Sequence, residues 1–191
     1  MDSKPGSFSF NVLRIWALCQ QCAQMVYNIP PTAEYARNVA LFLIEICAQE
    51  GSMRWERQRS PRFDGNVGGF SKWQMETAWI QSAMRTLQNY TALNQRVDNF
   101  VFNDPNCPLD WAREISLDAI LWAMRMDDND KLPLALCRVG ILSWPESIPA
   151  TLEERAALWK LRYNTAAGAG RVEEYIANAK NLVYPYIFVG Q

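Results

Sequence analysis

The chain has 191 residues, of which 49% are hydrophobic and 20% are charged, and its formal net charge is −1. This composition is ordinary for a soluble globular domain, and a nearly balanced charge that is spread along the chain argues against a dedicated nucleic-acid binder. The sequence contains no histidine, which excludes histidine-based catalytic triads, imidazole general bases and histidine-ligated zinc.

The N-terminal segment is short and polar, and it lacks the apolar core of a signal peptide. No apolar stretch is long enough to span a membrane. We therefore expect a protein that is made in the cytoplasm without a signal peptide and that has no membrane span.

The cysteines indicate a reducing compartment, because their number is odd and their spacing is not that of a disulfide framework. They are Cys19, Cys22, Cys47, Cys107 and Cys137. The first two form a C-x-x-C pattern, but no β-α-β signal follows them. We interpret them as small buried hydrophobic residues rather than as a redox or metal site, and we expect neither a metal nor a cofactor.

The first half of the chain predicts two helices behind a flexible tail at residues 1–9. Apolar residues recur at helical spacing over residues 10–27, and a Pro-Pro pair then ends the helix. Thr32 is a suitable N-cap for the second helix, which Gly51 ends.

Two glutamates of the second helix are expected to differ. Its apolar stripe runs from Tyr35 to Cys47 in steps of three and four, and the next step falls on Glu50. Glu45 lies off the stripe, so we expect it to face water. A carboxyl group that ends an apolar stripe beside a polar loop is well placed to stay protonated near neutral pH.

The rest of the chain also predicts helices. The glycine-rich loop at 52–70 allows a short hairpin at most, and residues 75–102 form either one helix or two with a break near Asn89. Further helices are expected at 109–126, 132–142, 151–163 and 172–182. The aspartate-rich run at 127–130 lacks the glycine and the distal glutamate of a calcium loop, so we interpret it as a solvated turn.

Three segments carry a resemblance to a known family: AQEGS at 48–52, GGFSKWQME at 68–76 and YNTAAGAGRV at 163–172. Their order and content resemble the lytic transglycosylase branch of the lysozyme-like superfamily, as found in phage peptidoglycan-degrading proteins. The chain departs from the family pattern where Gly51-Ser52 exchanges the usual order and where Ser71-Lys72 replaces Gly-Leu. The third motif is also longer by a Thr-Ala pair.

The resemblance implies a mainly α, lysozyme-like single domain at residues 10–183, with at most a small β-hairpin and a C-terminal tail at 184–191. It also implies a glycosidase that cleaves peptidoglycan glycan strands at the MurNAc-GlcNAc β-1,4 bond. By this resemblance Glu50 is the general acid and base, and Tyr163 orients it. The implied substrate-binding residues are Gln74, Trp73, Phe70, Ser52 and Asn164.

Most glycosidases use two carboxylates, whereas a lytic transglycosylase, by the resemblance, uses one and forms a 1,6-anhydro ring. If this protein instead hydrolyses with water, Asp64 or Glu76 is the available second carboxylate. The resemblance also implies a phage-encoded, virion-associated enzyme. Such an enzyme would be made in the host cytoplasm and would act in the virion or at the bacterial cell wall. Other virion proteins are then its possible partners.

The alternative is a catalytically inactive, lysozyme-like structural protein of a phage virion, because a fold does not guarantee an activity. One open cleft that holds Glu50 and Tyr163 would favour the enzyme. A Lys72 that fills this cleft, or that pairs with Glu50, would keep the acid ionised and would favour the structural protein.

Overall fold

The computed structural model describes residues 5–25, 32–51, 53, 71–102, 116–117, 120, 130–164 and 168–188. These residues are mainly helical and contain no β-strand, which confirms the predicted mainly α class. The helices are α1 (Pro5–Met25), α2 (Ala33–Gly51), α3 (Thr77–Asn89), α4 (Thr91–Phe102), α5 (Lys131–Ile141), α6 (Leu152–Leu158), α7 (Val172–Asn178) and α8 (Tyr184–Ile187). Two π-helical turns, π1 (Trp159–Asn164) and π2 (Ala179–Val183), continue α6 and α7 respectively. The possible hairpin at 52–70 lies almost wholly outside the described residues.

Both predicted tails contain helix. α1 begins at Pro5, so residues 5–9 are helical rather than part of a tail. Proline suits the first turn of a helix because its φ angle is already helical and its missing N–H group is not needed there. At the other end Pro185 lies in the first turn of α8, within the predicted tail at 184–191. The predicted break near Asn89 is confirmed, since α3 ends at this residue and α4 begins at Thr91.

The central element is α2, which packs against α1, α5, α7 and π2. Every residue from Val39 to Ala48 is buried, so this helix is enclosed on all sides rather than along one stripe. The expectation that Glu45 faces water is therefore wrong. That expectation assumed that one face of α2 is solvated, but α2 has no solvated face between Val39 and Ala48.

A buried network compensates the Glu45 carboxylate. Arg155 of α6 donates two hydrogen bonds to it, from Nε and Nη2, each 2.8 Å long. The hydroxyl groups of Tyr175 and Tyr184 donate to the same carboxylate at 3.1 and 2.6 Å. Burial alone would lower the pKa of Arg155, but its hydrogen bonds to Glu45 raise it overall. The network thus ties α2 to α6, α7 and α8 through one satisfied ion pair.

A second buried ion pair lies at the start of α5. Asp130 is only 2% exposed, and it accepts a 2.8 Å hydrogen bond from Lys72 as well as one from Arg14 of α1. The interpretation of 127–130 as a solvated turn is therefore wrong for Asp130, because two cations compensate its burial. Residues 127–129 lie outside the described part of the chain.

The described cysteines are buried free thiols, namely Cys19, Cys22, Cys47 and Cys137. Burial raises the pKa of Cys22 to about 12 and also raises that of Cys19. Because the thiolate is the reactive form, the raised pKa values disfavour reactivity of Cys19 and Cys22. The burial of the four described thiols agrees with their interpretation as small buried hydrophobic residues. Cys107 lies outside the described residues. Within the described ranges, no helix combines the length and the apolar character needed to cross a membrane.

Candidate functional site

A cleft of about 780 Å³ opens at the C-terminal end of α2. Its walls come from α2, from residues 74–82, from α5 and Ser143 just beyond it, from π1 and from residues 168–170. Five of the predicted site residues line it, and these are Glu50, Gln74, Glu76, Tyr163 and Asn164. The fold therefore brings together all three segments on which the resemblance rests.

Glu50 has the protonation behaviour that the sequence predicts. Its side chain is mostly buried, and this burial raises its pKa from an ordinary 4.5 to about 7. The indole N–H of Trp159 donates a 2.8 Å hydrogen bond to Oε1 and acts in the opposite direction, since it favours the ionised form. Near neutral pH the carboxyl group therefore exists in both protonated and ionised forms.

Trp159 is the site residue that the sequence analysis missed. It is the first residue of π1, it is fully buried, and its ring lies 5.1 Å from that of Tyr175. A Cβ atom at Gly170 would lie only 2.6 Å from the Trp159 ring, so glycine is needed for this close approach. The Gly-x-Gly spacing at Gly168 and Gly170 was the available signal, but it does not reveal which aromatic ring the glycines approach.

Tyr163 does not orient Glu50 in the predicted manner. Its hydroxyl donates a 2.6 Å hydrogen bond to the carbonyl oxygen of Trp73, and the Cys137 thiol donates to it at 4.0 Å. With its proton committed to Trp73, the hydroxyl cannot donate to the carboxylate, and Trp159 takes that role. Burial, the Cys137 thiol and the nearby charge of Glu50 all raise the pKa of Tyr163, so this residue is a neutral part of the cleft wall.

Trp73 is a core residue. Its ring is fully buried, and its indole N–H donates a 2.9 Å hydrogen bond to the carbonyl oxygen of Leu43. The expectation from the resemblance that Trp73 binds substrate is therefore wrong. The reason is the tight turn at residues 71–74, in which Ser71 and Gln74 both have positive φ angles, 65° and 49°. This turn places Trp73 in the core while Gln74 lines the cleft.

The other predicted residues divide into two groups. Glu76 is exposed on the cleft wall just before α3, and Asn164 accepts a 2.9 Å hydrogen bond from the Lys160 ammonium group. Ser52, Asp64 and Phe70 lie outside the described residues. The pairing of Lys72 with Glu50, which would have favoured the structural protein, does not occur. The Lys72 ammonium group pairs with Asp130 instead.

In the described part of the chain, no group of three or more acidic or cysteine side chains converges on a possible metal site. Comparisons with protein-family models, with curated proteins and with solved structures give no match. The likeness to lytic transglycosylases consequently rests on the three sequence segments alone.

Proposed function

We propose that the protein is a peptidoglycan-degrading glycosidase of the lysozyme-like superfamily, a lytic transglycosylase or a lysozyme, with Glu50 as its general acid and base. The bond cleaved is the MurNAc-GlcNAc β-1,4 bond. The observation that carries this proposal is the environment of Glu50, which has a pKa of about 7 on the wall of an open cleft.

The chemistry needs such a group. Protonation of the leaving glycosidic oxygen requires an acid that still holds its proton near neutral pH, and the same group must then accept a proton. Burial supplies the first property, and the hydrogen bond from Trp159 keeps the carboxyl group oriented in either state. The cleft volume falls within the range of about 300–1,000 Å³ that is usual for ligand sites.

Two outcomes of the reaction are open. Glu50 alone suffices if the muramoyl 6-hydroxyl closes a 1,6-anhydro ring, as in the family that the three segments resemble. Hydrolysis would need a second carboxylate to activate water, and Glu76 is the available one on the described cleft wall. The resemblance also supports a phage-encoded, virion-associated protein that is made in the host cytoplasm and acts from the virion or at the bacterial cell wall.

The test is digestion of purified peptidoglycan by the wild-type protein and by Glu50→Gln, with products identified by mass spectrometry. We expect muropeptides from the wild type and a rate lower by at least about 100-fold for the variant, since it lacks the general acid. Products lighter by one water than the hydrolysed ones would identify a transglycosylase. The matched control is Glu34→Gln, an exposed glutamate in the first turn of the same helix, which should keep full activity.

The second candidate is a catalytically inactive, lysozyme-like structural protein of a phage virion. Two observations favour it. The Tyr163 hydroxyl donates its hydrogen bond to the carbonyl oxygen of Trp73 instead of to Glu50, and the Trp73 ring lies in the core. If the wild type and Glu50→Gln are both folded and both release no muropeptides, the enzyme proposal fails and this candidate takes its place.

A further inference from the structure

Lys160 is a cation of π1 to which the proposed reaction gives no role. It is the second residue of π1 and is half-buried. Its ammonium group donates a 2.9 Å hydrogen bond to Oδ1 of Asn164 and a 2.8 Å hydrogen bond to the carbonyl oxygen of Gly168. Both of these residues line the cleft, whereas Lys160 itself does not. Lys160 therefore supports the cleft wall from behind.

The backbone allows this arrangement at two points. Lys160 and Asn164 lie four residues apart in π1, so their side chains meet on one face of the helical turn. A Cβ atom at Gly168 would collide with the carbonyl oxygen and with Oδ1 of Asn164, so only glycine lets the chain approach this closely. The lysine, the asparagine amide and the Gly168 backbone thus form one packed unit, which holds the amide in place before a ligand arrives.

The lysine also decides which end of the Asn164 amide points toward the cleft. An ammonium group has donors and no acceptor, so it can face the oxygen of an amide but not the nitrogen. Nδ2 of Asn164 consequently points away from Lys160 and lies 3.0 Å from the place that a Cβ atom of Gly170 would occupy, on the cleft wall. The Trp159 ring borders the same place, and its indole N–H donates to Glu50. The amide nitrogen is therefore on the side of the cleft that holds the proposed acid.

The amide nitrogen of Asn164 is open to a ligand. Asn164 is half-buried, and its nitrogen is not one of the buried side-chain atoms that lack a hydrogen bond. Among the described residues its side chain bonds to Lys160, and this bond uses the oxygen alone. A nitrogen that is neither bonded to the described protein nor buried keeps accessible surface and its N–H donors. A ligand can accept from them without displacing a protein contact.

The charges beside this donor indicate the kind of acceptor. The ammonium group on Oδ1 polarises the amide, which makes its N–H groups stronger donors. The neighbouring Glu50 would repel an anionic ligand group whenever its carboxyl group is ionised. A neutral oxygen acceptor fits the site better, and the hydroxyl and acetamido groups of an N-acetylated sugar supply such oxygens.

We propose that Lys160 is a positioning residue of the cleft, which holds the Asn164 amide so that its N–H groups donate to an oxygen of the bound glycan next to Glu50. The inference rests on the proposed function and deepens it. The resemblance assigns Asn164 to the substrate, whereas Lys160 lies outside all three of the segments that carry it.

The experiment measures binding without turnover, in the Glu50→Gln protein. The probe is a β-1,4-linked N-acetylglucosamine tetramer, titrated while the side-chain amide signals are followed by nitrogen-15 NMR. The Asn164 signal is assigned by its loss in Asn164→Ala. We expect this signal to move on binding. We also expect Lys160→Met, which keeps the apolar stem and removes the ammonium group, to weaken binding by about tenfold, the usual effect of one lost hydrogen bond.

A double-mutant cycle separates positioning from general support of the fold. If Lys160 acts through the Asn164 amide, then Lys160→Met should change the affinity by less than about twofold once Asn164→Ala has removed that amide. A merely structural lysine would weaken binding equally in both backgrounds. The matched control is Lys180→Met, at an exposed lysine of π2 that does not line the cleft, and it should leave the affinity unchanged.

The outcomes distinguish this inference from the proposed function. If the tetramer binds while the Asn164 signal stays still, or if Lys160→Met has the same effect with and without the Asn164 amide, the inference is overturned and the proposed function survives. If the tetramer binds to none of the folded variants, and peptidoglycan is not digested either, both fall together. The NMR titration does not depend on Lys160→Met being well folded.

Discussion

Glu45 and Glu50 lie five residues apart on α2, but the carboxyl group of Glu45 is paired with a cation and that of Glu50 with a neutral indole. Glu45 accepts two hydrogen bonds from the Arg155 guanidinium and two from tyrosine hydroxyls. Glu50 accepts one hydrogen bond, from the Trp159 indole, and pairs with no cation among the described residues. The first is a structural ion pair, and the second is a titratable acid on a cleft wall.

The raised pKa of Glu50 predicts a pH-dependent cost in stability. In the unfolded chain the group has an ordinary pKa of 4.5, whereas in the folded protein it is about 7. The folded state therefore holds this proton more tightly, so the contribution of Glu50 to stability is greatest below pH 4.5 and falls as the pH rises through about 7. The expected loss is about 3 kcal/mol, because each pKa unit corresponds to about 1.4 kcal/mol.

Glu50→Gln removes this titration and should be more stable than the wild type by about 3 kcal/mol at about pH 8, with the difference nearly gone at about pH 4. Urea unfolding at several pH values measures it. Glu34→Gln is the control and should follow the wild type throughout. A difference between Glu50→Gln and wild type that does not change with pH would contradict the prediction.

Trp159→Phe should raise the pKa of Glu50 above 7. The substitution keeps an aromatic ring but removes the N–H group that stabilises the carboxylate. Carbon-13 NMR titration of the glutamate carboxyl groups measures this directly. In Trp144→Phe, the matched control, the pKa should be unchanged because Trp144 does not donate to Glu50. A pKa in Trp159→Phe that equals or falls below the wild-type value would refute this role of the indole.

Glu45→Gln should destabilise the protein by about 3–5 kcal/mol, since it leaves the Arg155 guanidinium buried without its counter-charge. Thermal and urea unfolding provide the measurement. The control is Glu174→Gln, which breaks the exposed Arg171–Glu174 pair and should have little effect. Similar losses in the two variants would mean that the Glu45 network does not hold α2 to its neighbours.

Gly170→Ala should disturb the site from outside the cleft. The added methyl group would lie 2.6 Å from the Trp159 ring and 3.0 Å from the Asn164 amide, so the indole has to shift, which disturbs its hydrogen bond to Glu50. We expect a loss of about 1–3 kcal/mol in stability, as is usual for an overpacked position, together with a higher Glu50 pKa. Ala169→Ser, at the exposed neighbouring position, is the control for both readouts. An unchanged pKa and stability in Gly170→Ala would show that the ring is not held this tightly.

Local signals in the sequence predicted much of the fold. Thr32 was expected to cap a helix, and its hydroxyl accepts the backbone N–H of Tyr35, three residues ahead. The Thr151 hydroxyl accepts the backbone N–H of Glu154 in the same way at the start of α6. These signals act within one turn, so they do not depend on the rest of the chain. The helix stop at Gly51 was also predicted, but the structure adds a long-range reason for the glycine, because a side chain there would collide with the carbonyl oxygen of Lys72.

Long-range partners were beyond local patterns. The burial of Glu45 depends on Arg155, which is 110 residues away in the sequence, and helical periodicity contains no information about such a partner. The burial of the Trp73 ring depends on a turn with positive φ angles at Ser71 and Gln74. Neither residue type indicates that conformation, because glycine is the usual choice there. The motif therefore located the cleft wall but did not reveal that the Trp73 ring lies in the core.

Because α2 is enclosed on all sides over most of its length, it cannot tilt or slide without opening the core. Glu50 lies near the end of this helix, so the position of its backbone is fixed by the core. The cleft wall also includes Gln74, Glu76 and Ala78, which are not part of the buried core. Substitutions at these positions can reshape the cavity for a different ligand while the carboxyl group keeps its position and its proton affinity, so evolution can vary selectivity separately from acidity.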